Sequence, residues 1–447
     1  MIDLRILREN PDRVTKLLGT RNVPAGEVTR LLELDTELRR AIAARDEIRA
    51  SINQLSKSVG ELRRSGRDDE AVRAQEQSRD LGEQLKALET RATELTEARD
   101  AIWLVTPNLP SKDAPIGEDE RDNRVVRYWS PEDGHRGVED FELPTFAEHQ
   151  RVPHWETGAE LGILDFERAT KISGAMFSMF RGPGARLLRS LTSLALDMHT
   201  ETFEEIRPPT LVKRETMLAT GHLPKFADEA YAVERDDLYL IPTAEVPLTS
   251  LGRNEIFDKA ELPLRFAAYT PCFRREAGAA GRDTRGLLRL HEFDKVELLA
   301  YCTPDQGQDL FFEVLRQAEL LLQALGLTYR VLDLCTGDLG QSSARTFDLE
   351  VFSPGTDKWL EVSSVSLFTD YQARRANLRY RSSDGAVGFV YTVNGSALAW
   401  GRVIAAMLEV GRQPDGSVVL AEVLAPYFRG TTITKSEKSP ASISKNH

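Results

Sequence analysis

The sequence predicts an α+β protein in which an N-terminal antiparallel two-helix coiled-coil arm precedes a larger domain of mixed helix and strand. Three observations carry that expectation. Two apolar heptad runs lie near the start of the chain, separated by a short polar stretch, and Pro107 and Pro110 close the second. Beyond them, short apolar runs with strand character alternate with helical stretches, and no internal repeat is visible. The chain is also 447 residues long, more than one ordinary core organises.

The first run places Leu34, Leu38, Ala41, Arg45, Ile48, Ile52, Leu55 and Val59 at alternating spacings of four and three. The second does the same with Leu81, Leu85, Leu88, Ala92, Leu95, Arg99 and Ile102. Such spacing is the seam of a coiled coil, and a turn-prone segment from Gly60 to Asp69 makes the helices antiparallel neighbours. At ~1.5 Å per residue the first run spans roughly 40 Å, so the pair forms a rod and not a globular core. Arg45 and Arg99 sit in the seam and are expected to snorkel from its edge. Arg39, Arg40, Arg49, Arg63, Arg64, Arg73 and Arg79 lie off it, where they either solvate the rod or meet nucleic-acid phosphates.

The expected organisation is an arm over 1–110, a polar linker over 111–136, a larger mixed domain over 137–430 and a disordered tail over 431–447. In the larger domain, residues 238–241, 264–269, 295–301 and 328–334 read as strands and 309–325 as a helix. The tail is rich in Ser and Lys without apolar periodicity.

Composition narrows the function. Net charge is −12, which disfavours a nucleic-acid binder unless a local basic surface exists. Residues 1–115 hold 20 basic and 21 acidic side chains, so almost all the negative charge falls on the remainder. No segment has the ~20 apolar residues of a membrane span, and the charged start lacks a secretory pattern. Cys272, Cys302 and Cys335 are far apart, which fits a reducing cytoplasm and argues against a cysteine-rich zinc site. Neither GxGxxG after a strand nor GxxxxGK[ST] occurs, so a nucleotide site would have to use side chains, chiefly arginines.

Such a set exists. Phe273-Arg274-Arg275-Glu276 and Thr284-Arg285-Gly286-Leu287-Leu288-Arg289-Leu290-His291-Glu292-Phe293 flank an Ala/Gly-rich turn that runs into Gly281-Arg282-Asp283. Four arginines so placed suit the clamping of a triphosphate. Three further segments accompany them: Thr243-Ala244-Glu245-Val246-Pro247-Leu248-Thr249, Glu361-Val362-Ser363-Ser364, and Asn394-Gly395-Ser396-Ala397-Leu398-Ala399-Trp400-Gly401-Arg402. Arg207-Pro208-Pro209 stands upstream, and Leu7-Arg8-Glu9-Asn10-Pro11 opens the chain.

In these segments and their order, from residue 1 to about 430, the chain resembles the seryl-tRNA synthetases, a family of class II aminoacyl-tRNA synthetases. The resemblance implies an antiparallel-sheet catalytic domain, a homodimer, and an enzyme that activates L-serine with ATP and Mg2+ and esterifies it to tRNA(Ser). It implies an ATP set of Arg274, Arg275, Glu276, Arg289, Phe293, Glu361, Val362, Ser363, Ser364 and Arg402. Within that set Arg274 meets the α-phosphate, Arg402 the γ-phosphate, Phe293 stacks on adenine and Glu276 accepts from its amino group. Glu361 and Ser364 become Mg2+ ligands. Thr243, Ala244 and Glu245 face the serine ammonium, and Glu297 with Ser396 faces the hydroxyl. The arm arginines grip the long variable arm of the tRNA.

Four segments depart from the family pattern: Val365 and Leu367 after the Ser pair, Trp400, Glu292 and the Val410-Gly411-Arg412 run. Val365, Leu367 and Trp400 stand beside assigned site positions, where they either reshape the pocket rim or, for Trp400 in the first place, serve packing, and a specialised paralogue with the same reaction remains an open alternative. A carrier-protein ligase is disfavoured by the intact arm, and a non-catalytic homologue by the retention of Arg274, Glu276, Glu361 and Arg402.

Overall fold

The computed structural model describes residues 1–278 and 284–435. It divides into two compact units, Ile2–Thr106 and Pro107–His447 with Met1. Residues 281–283 of the arginine-rich segment and 436–447 of the expected tail lie outside the described residues.

In the first unit, helices Ala25–Arg64 and Asp68–Trp103 pack along the expected seam. Leu34, Leu38, Ala41, Ala92 and Leu95 are buried together, with Ile42 and Ile102 against them. Each buried leucine contributes about 1.5–3 kcal/mol, so stability concentrates at this end of the rod. Towards the turn the seam is only half-buried, and Ala71 is its one fully enclosed side chain among the described residues. Polar cross-ties such as Arg49–Glu89 at 2.7 Å and Arg63–Gln75 at 3.0 Å replace apolar packing there. The turn is shorter than expected. Helix continues through Gly60 to Arg64, and Gly66 takes the positive φ of 73° that the reversal requires.

The second unit is built on nine strands: β1 (Arg124–Ser130), β2 (Gly134–Arg136), β3 (Glu204–Glu205), β4 (Leu264–Phe273), β5 (Glu292–Cys302), β6 (Tyr329–Asp333), β7 (Arg345–Ser353), β8 (Lys358–Thr369) and β9 (Tyr391–Ala399). Their order is β2-β1-β6-β7-β8-β9-β5-β4-β3. All neighbours are antiparallel except β3 and β4. The antiparallel centre agrees with the expected architecture.

Residues 111–136, expected as a linker, are a correction. They carry β1 and β2, which form one edge of this sheet. Trp129 stacks on Tyr329 with centroids 5.6 Å apart, and Arg127 makes a two-pronged contact with Glu319. The acidic run before Arg124 hides this short strand in a composition-based reading. Residues 432–433, placed in the expected tail, pair with Val418 and Val419.

One face of the sheet packs on helices Pro183–His199, Gly307–Ala324 and Trp400–Val410 in a single large core. Strand β5 shows how the period of two divides its side chains. Val296, Leu298, Ala300 and Cys302 enter that core, whereas Phe293, Lys295 and Glu297 line a cavity on the other face.

Candidate active site

The cavity has a volume of about 650 Å3 and is open to solvent. One end is built from arginines. Arg274 leaves the end of β4 and lies over the Phe293 ring, 5.1 Å from its centroid. Its backbone is held by the His291 carbonyl at 2.9 Å. Arg289 forms an ion pair with Glu276, and both side chains are largely enclosed. Arg402, in the first turn of helix Trp400–Val410, donates through Nε to the Leu288 carbonyl at 3.0 Å. Its Nη1 donates to the Glu361 carbonyl at 2.8 Å. Three guanidinium groups thus face one cavity with part of their donors already spent on fixing orientation.

Glu361 and Ser364 are three residues apart, which on a regular strand would put them on opposite faces. A bulge resolves this. Leu349 pairs with Ser363 but Glu350 pairs with Glu361, so Val362 is an extra residue. Both side chains then line the cavity, and Asp348 stands opposite Ser364. Asp348 Oδ1 is buried without a hydrogen-bond partner. Burial first, and the Glu361 carboxylate second, hold its carboxyl well above the usual range.

The other end is a buried polar nest. Glu297 accepts from the Thr243 hydroxyl at 3.1 Å and from Asn394 Nδ2 at 2.8 Å. Lys295 pairs with Glu297 and donates to Thr243 Oγ1 at 2.8 Å. Glu245 accepts from Gln372 Nε2 at 2.6 Å and from Asn394 Nδ2 at 3.0 Å. Thr392 in turn donates to Gln372 Oε1 at 2.7 Å. Burial and the nearby Glu297 charge push the Glu245 carboxyl up to about 7, with Lys295, Gln372 and Arg274 opposing. His222 also lines the cavity, and burial with Arg274, Lys295 and Arg375 lowers its pKa to about 3. Its Nδ1 lies 2.8 Å from Thr220 Oγ1.

Of the expected site residues, Thr243, Glu245, Glu297 and Ser396 share the nest end. Arg274, Glu276, Arg289, Phe293, Glu361, Val362, Ser363, Ser364 and Arg402 share the rest of the cavity. Two do not fit. Ala244 is buried in an apolar cluster beside the nest. Arg275 points away, donating to the Asp228 carbonyl at 3.3 Å, because it alternates with Arg274 along the extended chain. The seven arm arginines are all exposed on the first unit. Sequence reasoning missed Lys295, Asn394, Gln372 and His222. Lys295 was accessible in principle, since it falls between Phe293 and Glu297 on the same face of β5.

Of the two readings of the departures, the structure supports packing and not the pocket rim. Trp400 is fully buried in the large core and donates from Nε1 to Thr192 Oγ1 at 3.1 Å. Val365 and Leu367 face that core too. They follow the bulge, which sets Ser364, Ser366 and Phe368 towards the cavity and their neighbours away from it.

Three arginines at one end of a cavity on an antiparallel sheet, with a buried carboxylate nest at the other, match the arrangement expected of a class II aminoacyl-tRNA synthetase core. Residues 230–411 match the tRNA synthetase class II core domain of the G, H, P, S and T group, and residues 1–110 match the seryl-tRNA synthetase N-terminal domain. The chain is 48% identical over 434 residues to a serine–tRNA ligase of Gemmatimonas aurantiaca, covering 96% of this chain and 99% of that protein. A serine–tRNA ligase of Pseudothermotoga lettingae is 43% identical over 430 residues, covering 96% and 99%. Among solved structures, the seryl-tRNA synthetase of Pyrococcus horikoshii complexed with ATP superposes with a TM-score of 0.88. That match has 35% identity and covers 98% of this chain and 100% of the other. The chain belongs to the seryl-tRNA synthetase family.

Proposed function

We propose that the cavity activates L-serine with ATP, releasing pyrophosphate, and then passes the seryl group to a terminal ribose hydroxyl of tRNA(Ser). The observation that carries this reading is one continuous cavity with a triple-arginine end and a buried carboxylate end, joined by Glu361 and Ser364. Serine fits the nest with its ammonium on Glu245 and its hydroxyl among Glu297, Thr243 and Ser396. Alanine would leave those buried groups unpaired, which is the strongest form of rejection such a site can apply.

In this orientation the serine carboxylate faces Arg274. One of its oxygens attacks the α-phosphorus in line, a new O–P bond forms, and the bond to the β-phosphate oxygen breaks. Charge grows on the α-phosphate oxygens and on the departing pyrophosphate. Arg274 faces the first, and Arg289 and Arg402 the second, so the main contribution is positioning and charge stabilisation. In the second step the ribose oxygen attacks the acyl carbon and AMP leaves.

The donor set also suits Mg2+. Among the described residues no group of three acidic, His or Cys side chains could alone hold a metal ion. Glu361, Ser364 and the unpartnered Asp348 oxygen are instead hard donors at the phosphate end, as befits an ion that shares its ligands with a nucleotide. When bound there, Mg2+ would neutralise charge on the phosphates. A homodimer in the cytoplasm, with tRNA gripped by the arm arginines, belongs to the same reading. No helix among the described residues is long and apolar enough to cross a membrane.

The test is serine-dependent pyrophosphate exchange. Arg274→Ala and Glu361→Ala should each lower it by at least ~100-fold, the scale of one preorganised charge contact. Near-normal exchange in either folded variant would sink the assignment.

A further inference from the structure

We propose that His154 and Glu409, outside the cavity lining, are positioning residues that hold segment 286–289 in the place from which Arg289 and Arg402 act on ATP. The inference rests on the ATP reading above and adds a device to it.

Both side chains are fully buried. His154 opens helix His154–Glu160, and Glu409 lies in the last turn of helix Trp400–Val410. Glu409 Oε1 accepts from the His154 backbone N–H at 3.0 Å and from its Nδ1 at 2.9 Å. Oε2 accepts from Ser353 Oγ at 2.5 Å and from the Gly355 N–H at 3.0 Å. A carboxylate that receives four donors is acceptor-only, so the proton between it and the imidazole sits on Nδ1. Nε2 is therefore the lone-pair side of the ring. It accepts from the Leu287 N–H at 3.0 Å. The charge thus fixes the tautomer, and the tautomer fixes the loop.

Two glycines make the approach possible. Gly286 has φ +63°, and a Cβ there would lie 2.3 Å from His154 Nε2 and 2.9 Å from Trp155 Cε3. A Cβ on Gly401 would lie 2.9 Å from the Leu287 carbonyl oxygen. The neighbouring Leu288 carbonyl receives Arg402 Nε, and the next residue, Arg289, pairs with Glu276. One helix therefore ties the dipeptide 287–288 from both ends, directly through Arg402 in its first turn and, by way of His154 on helix His154–Glu160, through Glu409 in its last. Arg402 and Glu409 are about two turns apart, roughly 10 Å along the axis, so the helix acts as a strut. None of these contacts reaches the serine nest.

Two substitutions separate positioning from packing. His154→Gln places an amide oxygen near Nε2 and keeps the Leu287 contact while losing the Nδ1 donor. His154→Asn keeps a donor towards Glu409 and loses the Leu287 acceptor. In pyrophosphate exchange with the full-length protein, His154→Asn should raise the KM for ATP about 10-fold or more, because small misplacements of a clamp are costly. The KM for serine should stay within about 2-fold, and His154→Gln should restore the ATP KM to within about 3-fold of wild type. Equal impairment of both variants, or an unchanged ATP KM in folded His154→Asn, would overturn the proposal and leave a core filler. Should His154→Asn not fold, Glu409→Gln keeps the volume and removes the charge that sets the tautomer. It should raise the ATP KM with serine unaffected, and no change would overturn the proposal. Arg402→Ala is the control on the ATP reading. If it leaves ATP binding unchanged, that reading fails; if it weakens ATP and His154→Asn does not, only the positioning role fails.

Discussion

Glu245 lies beside a second buried carboxylate, Glu297, with Lys295, Arg274, Thr243, Gln372 and Asn394 facing the pair. Burial and Glu297 push its pKa to about 7, against an ordinary 4.5. A carboxyl with a raised folded pKa contributes stability at low pH, and that contribution is lost as pH rises from 4.5 through about 7. Ligand binding runs the opposite way, because an ammonium needs the ionised form. The affinity of the free protein for serine should therefore fall as pH drops below about 7, approaching tenfold per unit, with proton release on binding. Calorimetry in buffers of different ionisation enthalpy reads both effects, and Glu245→Gln should flatten the profile. A serine affinity constant from pH 6 to 8 would refute this assignment. The sequence exposed Glu245, Thr243, Glu297 and Ser396, since their chemistry belongs to recognisable segments. It concealed Lys295, Asn394 and Gln372, because a lysine in a strand and two amides in separate segments acquire meaning only when β5, β9 and the helix Tyr371–Ala376 bring them together.

Helical seams and strand alternation were legible wherever one period ran unbroken, as in the arm and β5. They were not legible where the period slips. The extra residue at Val362 turns Glu361 and Ser364 to one face and sends Val365 and Leu367 to the other. No local pattern announces that bulge. Trp400 illustrates the same limit, since its neighbours Gly401 and Arg402 line the cavity while its own indole fills the core. Trp400→Val should accordingly act on stability, costing about 2–4 kcal/mol through lost burial and a residual cavity. It should also strand the Thr192 hydroxyl. The KM for serine and the response to serine-adenylate mimics should remain those of the parent. Thermal unfolding and inhibition curves measured together check this, and a change in inhibition without a drop in Tm would return Trp400 to the pocket.

Activation and transfer place different demands on the whole molecule. Every side chain assigned to serine and ATP belongs to the unit Pro107–His447, where most of the net negative charge also resides. That acidic unit is a poor electrostatic partner for RNA phosphates. The exposed arginines at 39, 40, 49, 63, 64, 73 and 79 all lie on the other unit. Arg49 is tied to Glu89, and Arg63 to Gln75, at exposed positions where such ties are weak and exchangeable for phosphates. The rod can be shortened without harming its base, because the buried cluster of Leu34, Leu38, Ala41, Ala92 and Leu95 lies outside residues 43–88. Excising 43–88 and joining the stumps by a short turn removes Arg49, Arg63, Arg64, Arg73 and Arg79 together. Pyrophosphate exchange should stay within a few-fold of the parent, since no cavity group is touched. Aminoacylation of tRNA(Ser) should collapse, and the residual tRNA affinity should fall less steeply with salt, because fewer counterions are released on binding. Normal charging by the shortened protein would separate the arm from RNA recognition, whereas loss of exchange would show that the arm also supports the catalytic unit.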